Sequence, residues 1–172
     1  MPLHRITAGL LPALLAACAG LSAPAVPPAL QPAGGERLLM TVAARGVQVY
    51  TCRSVDGAAP AWSLLAPEAE LFDGQGRAIG SHGAGPHWLA HDGSRLQGSV
   101  KARADAPTSQ SIPWLLLATT ASGPQGAFSG VTSVQRINTV GGTAPASECN
   151  AARAGTTARS PYSADYRLFT AR

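Results

Sequence analysis

Apolar and polar residues alternate with a period of two along most of the chain after residue 36. In residues 46–53, one face carries Val47, Val49 and Thr51, and the other carries Gln48, Tyr50 and Cys52. Alternation of this kind predicts β-strands rather than helices. Similar runs cover residues 37–44, 62–72, 77–82, 87–89, 95–102, 112–120, 128–139 and 160–171. In the 95–102 run, the period places Leu96, Gly98, Val100 and Ala102 on one face.

Turn signals separate these runs. Asp73-Gly74-Gln75-Gly76 and Asp92-Gly93-Ser94 have the composition of tight turns. The apolar block Trp114-Leu115-Leu116-Leu117 predicts a strand that is buried on both faces. About eight short strands at spacings near ten residues predict an all-β single domain, an antiparallel β-sandwich or barrel.

The N-terminus predicts export. An apolar run follows Arg5 and ends in Leu15-Ala16-Ala17-Cys18, the pattern of a bacterial lipobox. The run is shorter than the ~20 residues of a membrane span, so residues 1–17 are predicted to be a signal peptide and Cys18 to carry lipid. Because Ala19 rather than an aspartate follows the cysteine, we expect an outer-membrane anchor facing the periplasm.

Residues 18–35 are rich in proline, with Pro24, Pro27, Pro28 and Pro32 among small residues. Proline lacks a backbone donor and favours extended conformations. We therefore expect a tether that does not pack, followed by a β domain over residues 36–172.

The cysteine count agrees with export. Once Cys18 is assigned to lipid, Cys52 and Cys149 remain as a pair. In an oxidising compartment, two thiols of one domain are expected to form a disulfide. The alternative is two separately buried thiols.

Composition and motifs exclude several function classes. Thirteen basic residues face nine acidic ones without clustering, which argues against nucleic acid as a partner. The chain has no Gly-x-Gly-x-x-Gly motif, and no lysine follows a phosphate-type loop, so we predict no nucleotide or other cofactor. It also has no Gly-x-Ser-x-Gly elbow, and we assign no catalytic residue.

The densest polar cluster lies in residues 80–94. Here His82, His87 and His91, with Asp92, could bind a metal ion, which would make the protein a metal-assisted hydrolase. Their spacing is not a zinc signature, and residues five apart on a strand point to opposite faces. We favour the interpretation that these histidines are solvated or bonded to backbone, and we predict no metal site.

Arg136 and Asn138 lie two apart in a predicted strand and should face the same side. A buried arginine requires a carboxylate, and Asp165 or Asp92 could supply it. A structural ion pair is the favoured interpretation. The alternative is that Arg136 and Asn138 anchor a ligand. The tryptophans and tyrosines are expected to be core or rim residues of the sheet.

Many of these features occur together in one known family. The chain resembles the domain-of-unknown-function 3455 family, which consists of uncharacterised exported proteins of bacteria and fungi. The resemblance rests on Gln48-Val49-Tyr50-Thr51-Cys52, Gly80-Ser81-His82, Asp92-Gly93-Ser94, Pro113-Trp114-Leu115-Leu116-Leu117, Gln135-Arg136, Gly141-Gly142 and Tyr162-Ser163-Ala164-Asp165-Tyr166. It implies that Cys52 and Cys149 are family positions, as are His82, Trp88, Asp92, Arg136, Asn138 and Asp165. His87 and His91 do not fall within its motifs.

The sequence thus predicts a lipid-anchored envelope protein whose β domain has a ligand-binding or structural role. A small molecule or glycan would occupy a polar cleft formed by His82, Trp88, Asp92, Arg136 and Asn138. The alternatives are the metal-assisted hydrolase and a protein-interaction module that uses an exposed sheet edge. The one predicted partner of known kind is the membrane, through lipid on Cys18.

Overall fold

Eight antiparallel strands form a closed β-barrel in the computed structural model, which describes residues 24–54 and 56–172. The strands are β1 (Glu36–Arg53), β2 (Ala61–Phe72), β3 (Ala78–Gly83), β4 (His87–Ala90), β5 (Arg95–Ala104), β6 (Trp114–Ser122), β7 (Val131–Gly141) and β8 (Thr157–Ala171). Each pairs with the next along the chain, and β8 pairs with β1 to close the ring. The all-β prediction is confirmed, in its barrel form.

Local sequence explains where the strands turn. The carboxylate of Asp73 accepts hydrogen bonds from the backbone of Gln75 and Arg77, which ends β2 at the predicted turn. The runs 37–44 and 46–53, which looked like two strands, form the single strand β1 through Gly46. A Cβ atom at position 46 would overlap the backbone of Glu68 on β2, so only glycine allows the strands to approach this closely.

The two ends of the barrel differ. The lower end, where β2 meets β3 and β6 meets β7, is filled by Phe128, which is fully buried among apolar residues of the barrel interior. The upper end, where β1 meets β2 and β7 meets β8, contains polar side chains and the site described below. The barrel is therefore closed by apolar residues at its lower end and open at its upper end.

A second apolar cluster lies outside the barrel. Leu30 belongs to a short 3₁₀-helix, Pro28–Leu30, and packs against Trp114, Leu116 and Ile137 on β6 and β7. The side chain of Gln135 donates a hydrogen bond to the carbonyl of Leu30 (2.7 Å). Because this segment covers the first part of β6 from outside, the apolar block Trp114–Leu117 is packed on both faces, as predicted, whereas the rest of β6 is half-buried or exposed.

This packing corrects the predicted tether. Val26 and Leu30, which lie in the segment expected not to pack, contact the outer cluster. The proline at position 28 starts the 3₁₀-helix instead of excluding it, since its fixed φ suits a first helical position. Residues 1–17 and Cys18 lie outside the described residues.

Leu30→Ala is expected to lower the free energy of unfolding by about 3 kcal/mol, because it removes a fully buried side chain and leaves a cavity under the 3₁₀-helix. Urea-induced unfolding measures the effect. Leu38→Ala, at a half-exposed position on β1, is the control and should change stability by less than about 0.5 kcal/mol. Equal effects of the two substitutions would show that the outer segment adds nothing to the fold.

A disulfide joins the end of β1 to the long loop before β8. Cys52 and Cys149 are bonded, with their Cα atoms 5.5 Å apart. The predicted disulfide is confirmed, and it indicates an oxidising, extracellular or periplasmic location. Among the described residues, no helix has the length and apolar character needed to cross a membrane.

Candidate functional site

A cavity of about 480 Å³ opens at the upper end of the barrel. Its polar lining consists of Gln48 and Tyr50 from β1, His82 from β3, Trp88 from β4, Arg103 from β5, Arg136 from β7 and Tyr166 from β8. The volume lies within the range of roughly 300–1,000 Å³ that is typical of small-molecule sites. The interior of this barrel is therefore not a uniform apolar core.

The opening results from the shortness of β3 and β4. Residues 61–68 of β2 pair with β1 alone, and residues 98–104 of β5 pair with β6 alone, because the β3–β4 hairpin turns back at Gly83 and His87. The upper halves of β2 and β5 thus border a slot in the barrel wall. Apolar residues line it: Leu64, Leu65, Ala66 and Pro67 on one side and Val100 on the other.

An aromatic cluster forms the floor of the cavity. The ring of His82 stacks on Trp88 with centroids 4.6 Å apart, and it meets the edge of Tyr166 at 5.0 Å. Nδ1 of His82 lies 2.8 Å from the carbonyl oxygen of His87, which can only accept, so Nδ1 carries the proton. Burial lowers the pKa of His82 to about 3, and the ring is neutral with Nε2 as a free acceptor.

Several buried polar atoms of the interior find no hydrogen-bond partner among the described residues. They are Nε2 of Gln48, Nε1 of Trp88 and the hydroxyl groups of Tyr162 and Tyr166. Two further such atoms, Nε1 of Trp114 and Oε1 of Gln135, belong to the outer cluster instead. A buried polar group without a partner costs roughly 1–3 kcal/mol, and four of them in one barrel interior call for an explanation.

Arg136 supplies the charge at the site. Its Nε and Nη2 donate to the carbonyl of Pro113 at 3.1 and 2.8 Å. All nine acidic residues of the chain lie in the part that the structure describes, and none forms an ion pair with Arg136. The expected ion pair is wrong, because Asp165 accepts a hydrogen bond from Asn138 and Asp92 is engaged elsewhere.

The tyrosines around Arg136 remain protonated. Burial raises the pKa of Tyr50, Tyr162 and Tyr166, and the nearby guanidinium opposes this rise in part. The hydroxyl of Tyr50 donates to the carbonyl of Gly142 (2.7 Å). The hydroxyls of Tyr162 and Tyr166 lie near each other and near Arg136 without hydrogen-bond geometry. Of these two residues, only Tyr166 lines the cavity.

The structure brings together three of the five predicted ligand-binding residues. His82, Trp88 and Arg136 line the cavity, whereas Asp92 and Asn138 do not. Asn138 has a positive φ of 50° and lies on the exposed surface, where a β-bulge between Ile137 and Val140 turns it away from Arg136. The predicted cleft is therefore corrected: Asp92 and Asn138 are not part of it.

Asp92 has a structural environment at the lower end of the barrel. Its carboxylate accepts hydrogen bonds from Ser94 Oγ (2.6 Å) and from the backbone of Ser94 (2.9 Å) and Ala127 (2.7 Å), which lowers its pKa. Ser94 Oγ accepts in turn from the backbone of Phe128. Asp92 therefore holds the loop that places Phe128 in the base of the barrel.

The three histidines of residues 80–94 diverge. His82 is inside the barrel, Nδ1 of His87 lies 2.7 Å from the carbonyl of Ala84 at the rim, and His91 is exposed at the lower end. In residues 24–54 and 56–172, no group of three histidine, cysteine or acidic side chains is close enough to share a metal ion. The His82, His87, His91 and Asp92 site does not form.

Sequence reasoning missed Gln48, Tyr50 and Tyr166 as site residues. The tyrosines had been assigned to the core or rim. Gln48 carried a readable signal, since it lies at even spacing from Val42 and Ala44 and so shares their face of the strand. The structure buries that face, and Gln48 is only 1% exposed. A buried amide in an otherwise apolar strand pattern indicates either a hydrogen-bond network or a site.

The fold and the cavity together define a small antiparallel β-barrel with an apolar base and a donor-rich upper chamber. The family described as "protein of unknown function (DUF3455)" matches residues 32–170, and the chain belongs to that family. No curated protein and no solved structure matches the chain significantly.

Proposed function

We propose that this protein binds a small molecule in the upper cavity of the barrel. The observation that carries the proposal is the set of buried, unpartnered groups on Gln48, Trp88 and Tyr166 beside a cavity that opens to solvent. Polar groups converging on an aromatic wall are typical of ligand sites. The apolar border of the slot favours a molecule with an apolar part over a glycan.

We further propose that the protein acts at the cell envelope. The disulfide supports an oxidising compartment. The sequence Leu15-Ala16-Ala17-Cys18 supports lipid attachment at Cys18 and an outer-membrane anchor facing the periplasm. A bound ligand would then be held next to the membrane surface.

Val100→Trp is expected to weaken uptake of the neutral fluorescent probe N-phenyl-1-naphthylamine by at least about tenfold, which corresponds to ~1.4 kcal/mol. Val100 borders the slot and is 57% exposed, so a larger side chain there narrows the opening without disturbing the core. The rise in probe fluorescence on titration with protein gives the dissociation constant.

Val140→Trp is the matched control, because Val140 is 64% exposed and lies away from the cavity. It should bind the probe like the unmodified protein. If the unmodified protein takes up no probe, or if both substitutions leave uptake unchanged, the cavity is not a binding site.

A further inference from the structure

We infer that the ligand is a small amphipathic carboxylate, with its head on Arg136 inside the barrel and its apolar tail leaving through the slot between β2 and β5. This inference rests on the proposed function and adds the chemical class of the ligand. It follows from three independent features: an uncompensated charge, an excess of donors, and an apolar rim.

The positive charge of Arg136 favours a ligand with an anionic head group. Arg136 is partly buried in the barrel, and the whole complement of nine acidic residues, all within the described chain, leaves it without an ion pair. A partly buried guanidinium without a counter-ion attracts an anion, and the attraction is stronger there than at the open surface. An ammonium head would meet the same charge and be repelled.

The polar groups near Arg136 favour a head group that accepts hydrogen bonds. Nε2 of Gln48 and Nε1 of Trp88 are donors only, and the hydroxyl of Tyr166 is protonated because burial raises its pKa. A carboxylate has two oxygens and about four lone-pair positions, so it can accept hydrogen bonds from Arg136 and from further donors of this kind. An alcohol head could satisfy fewer of them and would leave the guanidinium unpaired.

The charge balance also favours a monoanion. Arg103, at the rim, is the second arginine that lines the cavity, and the floor holds Arg136 alone as a cation because His82 is neutral. Arg103 is exposed to solvent, so the one guanidinium inside the cavity neutralises one negative charge. A phosphate monoester, with nearly two charges at neutral pH, would remain partly uncompensated.

The apolar residues that border the slot favour a ligand with an apolar tail. Seven large hydrophobic residues of the described chain are exposed, and three of them border the slot: Leu64 at 52%, Leu65 at 58% and Val100 at 57%. Single exposed apolar residues are ordinary, but a cluster at the mouth of a cavity marks a contact surface. A tail that runs from the floor past these residues would cover them.

The test compares three ligands that each carry a linear ten-carbon chain, which in decanoate includes the carboxyl carbon: decanoate, decanol and decyltrimethylammonium. Each displaces N-phenyl-1-naphthylamine from the purified protein at pH 7.5, where decanoate is ionised. Decanoate is expected to bind at least about tenfold more tightly than decanol, since charge-assisted hydrogen bonds are about twice as strong as neutral ones. Decyltrimethylammonium should be the weakest.

Arg136→Gln should abolish the preference for decanoate over decanol, and Arg136→Lys should retain part of it. Arg95→Gln, which removes one charge from an exposed position at the lower end, is the matched control and should leave the preference intact. Circular dichroism establishes that each variant is folded. If Arg136→Gln does not fold, the head-group order of the unmodified protein and the Arg136→Lys variant decide the matter.

The outcomes separate the two proposals. The carboxylate assignment is overturned if the protein takes up the probe but decanoate and decanol displace it equally. It is also overturned if the preference for decanoate survives Arg136→Gln. In both cases, small-molecule binding stands. Probe uptake that is absent overturns both. A decanoate preference that depends on Arg136 and not on Arg95 supports both.

Discussion

The double variant Cys52→Ala/Cys149→Ala is expected to lose about 4 kcal/mol of unfolding free energy. The disulfide closes a loop with a sequence separation of 97 residues, and in the chain-entropy account a loop of this size restricts the unfolded chain by ~4 to 5 kcal/mol. Little native packing is lost, because alanine fits the buried position of Cys52. A typical small domain is stable by about 5–15 kcal/mol, so the variant should be marginal.

Urea-induced unfolding of the double variant measures this loss directly. The unmodified protein in the presence of dithiothreitol is the control, since reduction breaks the same bond without substitution, and both should unfold at a similar urea concentration. If the double variant unfolds at the midpoint of the oxidised protein, the loop before β8 is already held by pairing of β1 with β8 and the disulfide adds nothing.

The period-two pattern predicted nearly every strand, but not how the sheet ends. Closure of the barrel depends on pairing between β1 and β8, in which Gly46 lies opposite Tyr162. Residues so far apart in sequence leave no local signal of their pairing, and a sandwich would use the same alternation. The choice between sandwich and barrel therefore had to come from the structure.

The predicted faces failed where β-bulges shift the register. In β5, a bulge between Val100 and Ala102 leaves Val100 at the slot and turns Ala102 outward to the outer cluster, so the expectation that both share one face is wrong. The bulge in β7 separates Arg136 from Asn138 in the same way. One extra residue in a strand moves the following side chains to the opposite face of the sheet, and the amino-acid composition does not reveal where such a bulge occurs.

The candidate site was predictable to the extent that its residues broke the apolar pattern. His82, Trp88 and Arg136 stood out as polar or amphipathic residues in strand segments, and the structure brings them to one cavity. The slot was not predictable, because it depends on β3 and β4 being shorter than β2 and β5. Short strands are visible in sequence, but the gap they leave appears only once the neighbours are paired.

Acid is expected to destabilise the barrel through His82 before its carboxylates titrate. The pKa of His82 falls from 6.5 to about 3 on folding because the ring is buried, so below pH 6.5 the unfolded chain takes up a proton that the folded chain refuses. Stability therefore falls with falling pH by about 1.4 kcal/mol per pH unit. The loss reaches about 2 kcal/mol at pH 5 and about 4 to 5 kcal/mol by pH 3.

Unfolding in urea between pH 7 and pH 5 isolates this effect, because Asp73 and Asp92, whose pKa values are lowered by hydrogen bonds, titrate below that window. His82→Gln should flatten the dependence, since its amide can still donate to the carbonyl of His87 and carries no charge. His91→Gln, at an exposed position, should leave the slope unchanged. Arg136 disfavours protonation of His82 only as a secondary cause after burial, so Arg136→Gln should leave the slope between pH 7 and pH 5 nearly unchanged and should raise the pH at which the loss of stability levels off. A slope that is the same in His82→Gln as in the unmodified protein would show that another group controls the loss of stability in acid.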